Sequence, residues 1–242
     1  MDYELKTRYV VGVDVGQASD PTAVCVVEAA KWRLHRNDEA RLRRPNGAPL
    51  PGYAEAMAEM PKPEYRVRHL ERLQLGMPYP AQAAYLVNLI GRIPGASVYL
   101  DATGVGRPVS DLFRELGLRH TPVLITAGRD VTTRGEFVGV PKLELISRLQ
   151  ASLHAGELKI ASKIPDAAAL VRELQEFRAS WTESGNLMFN ARQGAHDDLV
   201  IAAALAVWGA TRSDGPPWDD VSGEKLKRIF TTTFLGTADI NT

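Results

Sequence analysis

Two adjacent acidic residues stand immediately before the most apolar stretch of the chain. Asp197 and Asp198 follow His196, and the residues from Leu199 to Ala210 are all apolar. Burying a carboxylate is costly unless it is paired or bound to a metal. The free N–H groups at the start of a helix also favour negative charge, so a simple helix cap by Asp197 is the alternative. The pattern therefore predicts a buried helix with a capping or metal-binding acidic pair at its start.

A third acidic residue, Asp14, lies inside a stretch with the character of a buried strand. Residues 9–16 read YVVGVDVG, residues 22–28 read TAVCVVE, and a turn cluster lies between them. This pattern predicts an antiparallel hairpin with Asp14 in its first strand. Because Asp is disfavoured in strand interiors, its position indicates a functional carboxylate. The alternative is an Asp that hydrogen-bonds to the adjacent turn.

A fourth acidic residue, Asp101, ends the predicted strand 96–101. A glycine turn at 102–106 and a predicted helix over 108–116 follow it. Open α/β sheets place their sites at the carboxyl ends of strands, and Gly104 and Gly106 would let a phosphate approach the backbone. The alternative is an ordinary connection in which Asp101 caps the turn. Acidic residues at three element edges together favour an acidic site more than any one of them does.

The composition limits the class of protein. The 242 residues are 45% hydrophobic and 24% charged, which is typical of a globular chain long enough for one large domain. No segment has the roughly 20 apolar residues that a membrane-spanning helix needs, and the first residues lack a signal-peptide core. The single Cys25 excludes a disulfide framework and cysteine-rich zinc patterns, so we expect an intracellular, reducing setting. The five histidines lack the His-Glu-x-x-His spacing of zinc hydrolases.

The charge of the chain is balanced overall and uneven locally. Its 29 basic and 29 acidic residues give a net charge of zero, which argues against tight binding of nucleic acid by bulk charge alone. Between Lys31 and Arg44 basic residues outnumber acidic ones. This segment is either an arm that contacts a nucleic-acid backbone or a solvated loop.

The remaining segments alternate between strand and helix patterns. The predicted strands cover 65–73, 121–125 and 158–161, the predicted helices cover 80–90, 140–154 and 166–178, and a predicted hairpin covers 181–190. Residues 45–63 are rich in Pro and Gly and predict a flexible loop, and the polar residues 128–139 predict a mobile segment. The order predicts an α/β sheet with antiparallel hairpins on one side.

Several of these segments resemble the nuclease domain of the large terminase subunit of tailed bacteriophages. They read VGVDVG at 11–16, LDATGVG at 100–106 and HDDLVIA at 196–202, with a weaker likeness in VPKLELI at 140–146 that continues through GELKI at 156–160. The resemblance extends from about residue 9 to 210. It implies an α/β fold of the RNase H-like (RuvC-like) type, with a mixed central sheet, an N-terminal antiparallel hairpin and flanking helices. It also implies a nuclease domain over 1–212, a variable basic and proline-rich insertion at 29–64, and a C-terminal tail at 213–242.

The resemblance further implies a metal-dependent DNA endonuclease that cuts concatemeric viral DNA during genome packaging. Hydrolysis would use two divalent ions, Mg2+ or Mn2+, with little sequence specificity. The implied catalytic and metal-binding residues are Asp14, Asp101, Asp197 and Asp198, with Asp198 as the principal ligand. The candidate DNA contacts are Lys142, Arg148, His196, Arg41, Arg43 and Arg44. The implied partners are double-stranded DNA, a packaging ATPase domain or subunit, the small terminase subunit and the portal, in the cytoplasm of the infected bacterial host and without a membrane.

The chain departs from a complete large terminase subunit in one respect. It contains no Gly-x-x-x-x-Gly-Lys-Ser/Thr phosphate loop, so we expect it not to be the ATP-driven motor. It is either an excised nuclease domain or a natural polypeptide that works with a separate ATPase. Two other functions stay open. Asp14 before a glycine turn also resembles the start of actin-like and sugar-kinase phosphotransferases, and a non-catalytic RNase H-like module would bind DNA without cutting it.

Overall fold

An eight-stranded mixed sheet forms the centre of the fold. The computed structural model describes residues 1–16, 20–93, 95–176, 178–181, 187–190 and 196–212. The strands are β1 (Tyr3–Asp14), β2 (Ala23–Leu34), β3 (Glu64–Arg72), β4 (Ser97–Asp101), β5 (Thr121–Thr126), β6 (Thr132–Arg134), β7 (Phe137–Pro141), β8 (Leu158–Ile160), β9 (Arg178–Trp181) and β10 (Leu187–Asn190). The helices are α1 (Arg36–Arg41), α2 (Tyr53–Glu59), α3 (Tyr79–Gly91), α4 (Gly106–Glu115), α5 (Lys142–His154), α6 (Ala167–Glu176) and α7 (Asp198–Thr211). The order in the central sheet is β6-β7-β5-β4-β1-β2-β3-β8, and β9 and β10 form a separate pair.

The valine-rich hairpin of β1 and β2 sets the direction of the central strands. These two strands pair in antiparallel fashion from Tyr3 opposite Leu34 to Asp14 opposite Ala23. On its other side β1 pairs in parallel with β4, so that Val13 lies opposite Leu100. Parallel strands end at the same edge of a sheet, and the last residues of β1 and β4 therefore lie side by side.

Helices cover both faces of the sheet. Successive strand residues point to opposite faces, so Val10 belongs to a core cluster that includes α7, whereas Val11 packs in the cluster of α3 and α4 with Leu86 and Phe113. Every residue of α7 from Asp198 to Ala210 is buried, which explains why its sequence is apolar all round.

The expected fold class is confirmed, since the sheet is mixed, begins with an antiparallel hairpin and has helices on both faces. Three local expectations differ from the structure. Strand β2 continues to Leu34, so the first residues of the expected insertion at 29–64 are sheet. The expected loop at 45–63 contains α2. The expected mobile segment 128–139 supplies β6 and part of β7, because Val138 and Val140 are buried in the core.

The expected tail at 213–242 lies outside the described residues. Within the described ranges, every helix is too short or too polar to cross a bilayer.

Candidate metal centre

Four aspartates line one open cleft of about 460 Å³ at the edge of the central sheet. Asp14 ends β1, Asp101 ends the neighbouring parallel strand β4, and Asp197 and Asp198 begin α7. The start of α7 reaches this edge because the helix packs directly on β1, where Gly12 has no side chain to hold it away. The topology thus brings together carboxylates that are distant along the chain.

The electrostatics of the cleft disfavour full ionisation of its carboxylates. Burial and the charges of Asp101, Asp198 and Asp197 raise the pKa of Asp14 well above its usual value, and the nearby Lys142 only partly opposes this. Burial also raises the pKa of Asp101, against the hydrogen bonds from Thr103. Like charges in a buried site repel one another. The cluster therefore favours a bound proton or a bound cation.

Hydrogen bonds orient two of the carboxylates. The Thr103 backbone N–H donates to Asp101 Oδ1 at 2.8 Å, so Asp101 caps its turn and lines the cleft at the same time. Asp197 occupies the cap position of α7, but its side chain makes no capping hydrogen bond. Its Oδ2 instead accepts a hydrogen bond from Lys142 Nζ at 3.0 Å. The capping alternative therefore fails for Asp197 and is met by Asp101.

Asp198 presents a buried oxygen that lacks a hydrogen-bond donor. The residue is 6% exposed, and within the described part of the chain no donor reaches its Oδ2. The nearest cationic groups are Arg72 Nε at 3.5 Å and His196 Nδ1 at 3.7 Å. Burial raises the pKa of Asp198, and the charges of Arg72 and His196 oppose that rise. A buried carboxylate oxygen without a donor needs another positive partner.

Three residues of this region were missed in the sequence. Asp20 lies in a segment that the sequence predicts as a turn. A carboxylate oxygen of Asp20, a ring nitrogen of His196 and a carboxylate oxygen of Asp198 all lie within 4.8 Å of one another. Arg72 ends β3 and forms ion pairs with Asp198 and with Glu173 of α6. Glu173 could have been found from the sequence, because it follows Leu170 by three residues and therefore lies on the apolar face of its helix.

The candidate DNA contacts fall into two groups. Lys142 and His196 line the cleft. The other four do not line it: Arg148 lies about 9 Å along the axis of α5 from Lys142, and Arg41, Arg43 and Arg44 follow the end of β2, which runs for roughly 35 Å. Arg148 pairs with Glu144 at 2.9 Å and lies in the electrostatic surroundings of Lys31.

The basic segment after β2 is remote from the cleft. Arg41 pairs with Asp38, Arg43 with Glu39, and the backbone N–H of Arg44 donates to Ala48. Arg41, Arg43 and Arg44 follow Leu34, which lies opposite Tyr3 at the other end of the hairpin from Asp14, so the length of β1 and β2 separates them from the acidic cleft.

Similar sequences and similar solved structures include phage terminase proteins. The terminase large subunits of Thermus phage G20c and Thermus virus P23-45 are each 29% identical to the chain over 146 residues, which is 60% of the chain and 27% of each relative. No protein-family model matches. The large terminase nuclease of thermophilic phage G20c matches with a TM-score of 0.56 and 22% identity, over 83% of this chain and 81% of that one. The chain has the fold of a large terminase nuclease domain. The resemblance expected from the motifs is confirmed.

Two further terminase nuclease structures agree with this match. The G20c nuclease with bound magnesium gives a TM-score of 0.55 at 23% identity, over 83% of this chain and 80% of that one. The large terminase nuclease domain of Thermus phage P74-26 gives a TM-score of 0.55 at 21% identity, over 88% of this chain and 84% of that one. The chain spans about a quarter (27%) of the length of the full terminase large subunits that it matches.

The donor set of the cleft fits divalent cations of the hard type. It consists of carboxylate oxygens with one imidazole at the rim, and Mg2+ prefers oxygen ligands. A bound cation would give the buried Asp198 Oδ2, which no donor reaches among the described residues, a positive partner, and it would offset the burial and the mutual repulsion that raise the pKa of Asp14. The residues present therefore match the chemistry of a metal centre.

Proposed function

We propose that this chain is a divalent-metal-dependent endodeoxyribonuclease of the large terminase type, which cuts concatemeric viral DNA during genome packaging. The observation that carries the proposal is the cleft shared by Asp14, Asp101, Asp197 and Asp198 on a fold that matches terminase nucleases. The magnesium-bound form of the G20c nuclease supports Mg2+ as a cofactor. Its place of action is the cytoplasm of the infected bacterial host.

The residues that would hold two divalent ions, Mg2+ or Mn2+, are the four aspartates, with Asp198 as the principal ligand. Asp20 and His196 lie close enough to Asp198 to complete one of the two positions. When bound, such a pair of ions supplies an activated water and stabilises the leaving 3′ oxygen of a phosphodiester.

The chain's own residues position and balance this chemistry. The Thr103 N–H holds Asp101 in one orientation. Lys142 places its ammonium group beside Asp197 and in the field of Asp14, where it offsets part of the negative charge and can contact a phosphate oxygen. Contacts of this kind position a DNA backbone without reading bases, so we expect little sequence specificity.

The neutral net charge implies weak DNA binding by the chain alone. We therefore expect the packaging ATPase, the small terminase subunit and the portal to deliver double-stranded DNA and to set the time of the cut.

Nicking of supercoiled plasmid tests the proposal. The chain should nick DNA with Mg2+ or Mn2+ and not with EDTA. Asp14→Asn, Asp101→Asn and Asp198→Asn should each reduce nicking to background, because each removes a charged ligand from the cleft. Asp111→Asn is the matched control, since Asp111 is exposed on α4 and pairs locally with Arg114.

Each possible failure identifies a different error. Cleavage in EDTA would refute metal dependence, and full activity of one folded Asp→Asn variant would remove that residue from the site. Hydrolysis of ATP by the chain would favour the phosphotransferase alternative. DNA binding without cleavage under every metal condition would favour the non-catalytic module.

A further inference from the structure

The buried start of α7 receives its cap from another helix. The first N–H groups of a helix have no partner within the helix, and burial of α7 removes water as a substitute. Asp197 does not accept hydrogen bonds from these N–H groups, because its side chain pairs with Lys142. Glu173 of α6 supplies the missing acceptor. Its Oε2 accepts hydrogen bonds from the N–H groups of Leu199 at 3.1 Å and Val200 at 3.2 Å.

Glu173 is a buried carboxylate, only 7% exposed, and needs a counter-charge as well as donors. The positive end of the helix dipole provides part of it. Arg72 provides the rest through an ion pair with Glu173. The backbone of Arg72 is held by its pairing with Ala23 of β2 and by its N–H, which donates to Asp166 Oδ2 at 2.9 Å.

The same arginine reaches the candidate metal centre. Arg72 Nε lies 3.5 Å from Asp198 Oδ2, the buried oxygen that no donor reaches within the described ranges. Arg72 thus stands between the carboxylate that caps α7 and a carboxylate that lines the cleft. While Glu173 holds the guanidinium, Arg72 stays at the edge of the Asp198 carboxylate rather than in full contact with it.

We infer that Glu173 and Arg72 form a positioning pair for the metal centre, an inference that rests on the proposed nuclease function. Glu173 caps α7 from outside, which leaves Asp197 and Asp198 directed to the cleft, and it restrains Arg72 from competing with a cation for Asp198. Neither residue is a metal ligand. Together they set how tightly the cleft binds the ion.

Glu173→Gln tests this pair with little change of shape. The oxygen of the introduced amide can still accept from the α7 N–H groups, but its NH2 group then faces the Arg72 guanidinium, donor against donor. Released from Glu173, Arg72 should pair fully with Asp198 and compete with the metal. We expect the Kd for Mn2+ alone, measured by electron paramagnetic resonance on the full chain, to rise about tenfold, as for other groups that support metal ligands.

The metal dependence of nicking gives a second readout. The Mn2+ concentration for half-maximal nicking should rise by the same factor, whereas the rate at saturating Mn2+ should recover toward that of the wild type. Glu28→Gln is the matched control. Glu28 is an equally buried carboxylate that holds Arg66 and Arg68, but it does not line the cleft. Its loss should leave the Mn2+ affinity unchanged.

Asp166→Ala provides a milder variant if Glu173→Gln does not fold. It removes one hydrogen bond to the Arg72 backbone while the pairing of Arg72 with Ala23 in the sheet remains, and it should weaken Mn2+ binding in the same direction by about threefold, below the usual range for direct supports of a ligand.

The inference is overturned if the folded variants bind Mn2+ as the wild type does, even where they are less stable. A wild-type chain that neither binds Mn2+ nor cuts DNA would instead refute the proposed function, and with it this inference.

Discussion

Replacing Gly12 by alanine should disturb both the fold and the candidate metal centre. An added Cβ would lie 2.0 Å from the Ala202 carbonyl oxygen and 2.7 Å from the Ala206 backbone nitrogen. A carbon–oxygen contact without strain needs about 3.3 Å, so α7 would have to move from β1 by roughly 1.3 Å. Both obstructing atoms belong to the backbone, and no change of rotamer can relieve the contact.

The size of the effect follows from this displacement. Overpacking a core usually costs about 1–3 kcal/mol, and we expect the upper end, about 3 kcal/mol, because two elements of backbone must separate. For a domain of this size that corresponds to a fall in melting temperature of roughly 6–12 °C. Asp14 lies two residues beyond Gly12 on β1 and Asp198 begins α7, so the same movement separates the two. A misplacement of about 1 Å can cost about 100-fold in rate.

Thermal unfolding followed by circular dichroism and plasmid nicking below the melting temperature measure the two effects. Gly91→Ala is the control, because Gly91 ends α3 and an added Cβ there meets no atom within 4 Å. It should leave stability unchanged or raise it by about 0.5–1 kcal/mol. A Gly12→Ala chain with the melting temperature and nicking rate of the wild type would refute the direct packing of α7 on β1.

Three further predictions concern buried ionisable groups. Burial works against the charged form of Glu28, but hydrogen bonds from Arg68 and Arg66 outweigh it and hold the pKa of Glu28 below its ordinary value. The stability that Glu28 contributes is therefore present above the ordinary pKa of Glu and is lost as the pH falls through the lower pKa of the folded state. Urea unfolding should show that the free energy of unfolding decreases less between about pH 7 and pH 3 in Glu28→Gln than in the wild type. Burial raises the pKa of the Cys25 thiol to about 12, so a disulfide reagent should label the unfolded chain and spare the native one, and rapid native labelling would contradict this burial. Burial and neighbouring carboxylates raise the pKa of Asp14, so Asp14→Asn should melt at a higher temperature than the wild type in EDTA, and a lower one would contradict the repulsion.

The positions of the central aspartates were predictable because each marks a boundary that the local sequence displays. Asp14 and Asp101 end runs of apolar residues before glycine turns, and Asp198 precedes the long apolar helix. Strand and helix periodicity are local signals, and the rule that sites gather at the carboxyl ends of parallel strands connects two of these boundaries. The convergence could thus be expected before any distance was known.

Other features depend on contacts that no local pattern encodes. The cap of α7 by Glu173 joins two helices that are separated by the hairpin of β9 and β10. The periodicity of α5 predicted a helix that contains Lys142 and Arg148, but it could not say that only Lys142 would line the cleft. Strand β6 has three residues, all exposed, so it lacks the alternation by which strands are found.

The net charge of zero conceals a separation of charge along the sheet. Carboxylates gather at the end of β1, while at the other end burial and the like charges of Arg8 and Arg33 lower the pKa of Lys31. A DNA phosphate is repelled from an acidic cleft until cations neutralise it, and Lys142 offsets only part of that negative charge. If the cleft cuts DNA, a metal ion must therefore bind before or together with the substrate, and we expect most of the affinity for DNA to come from other groups than this cleft.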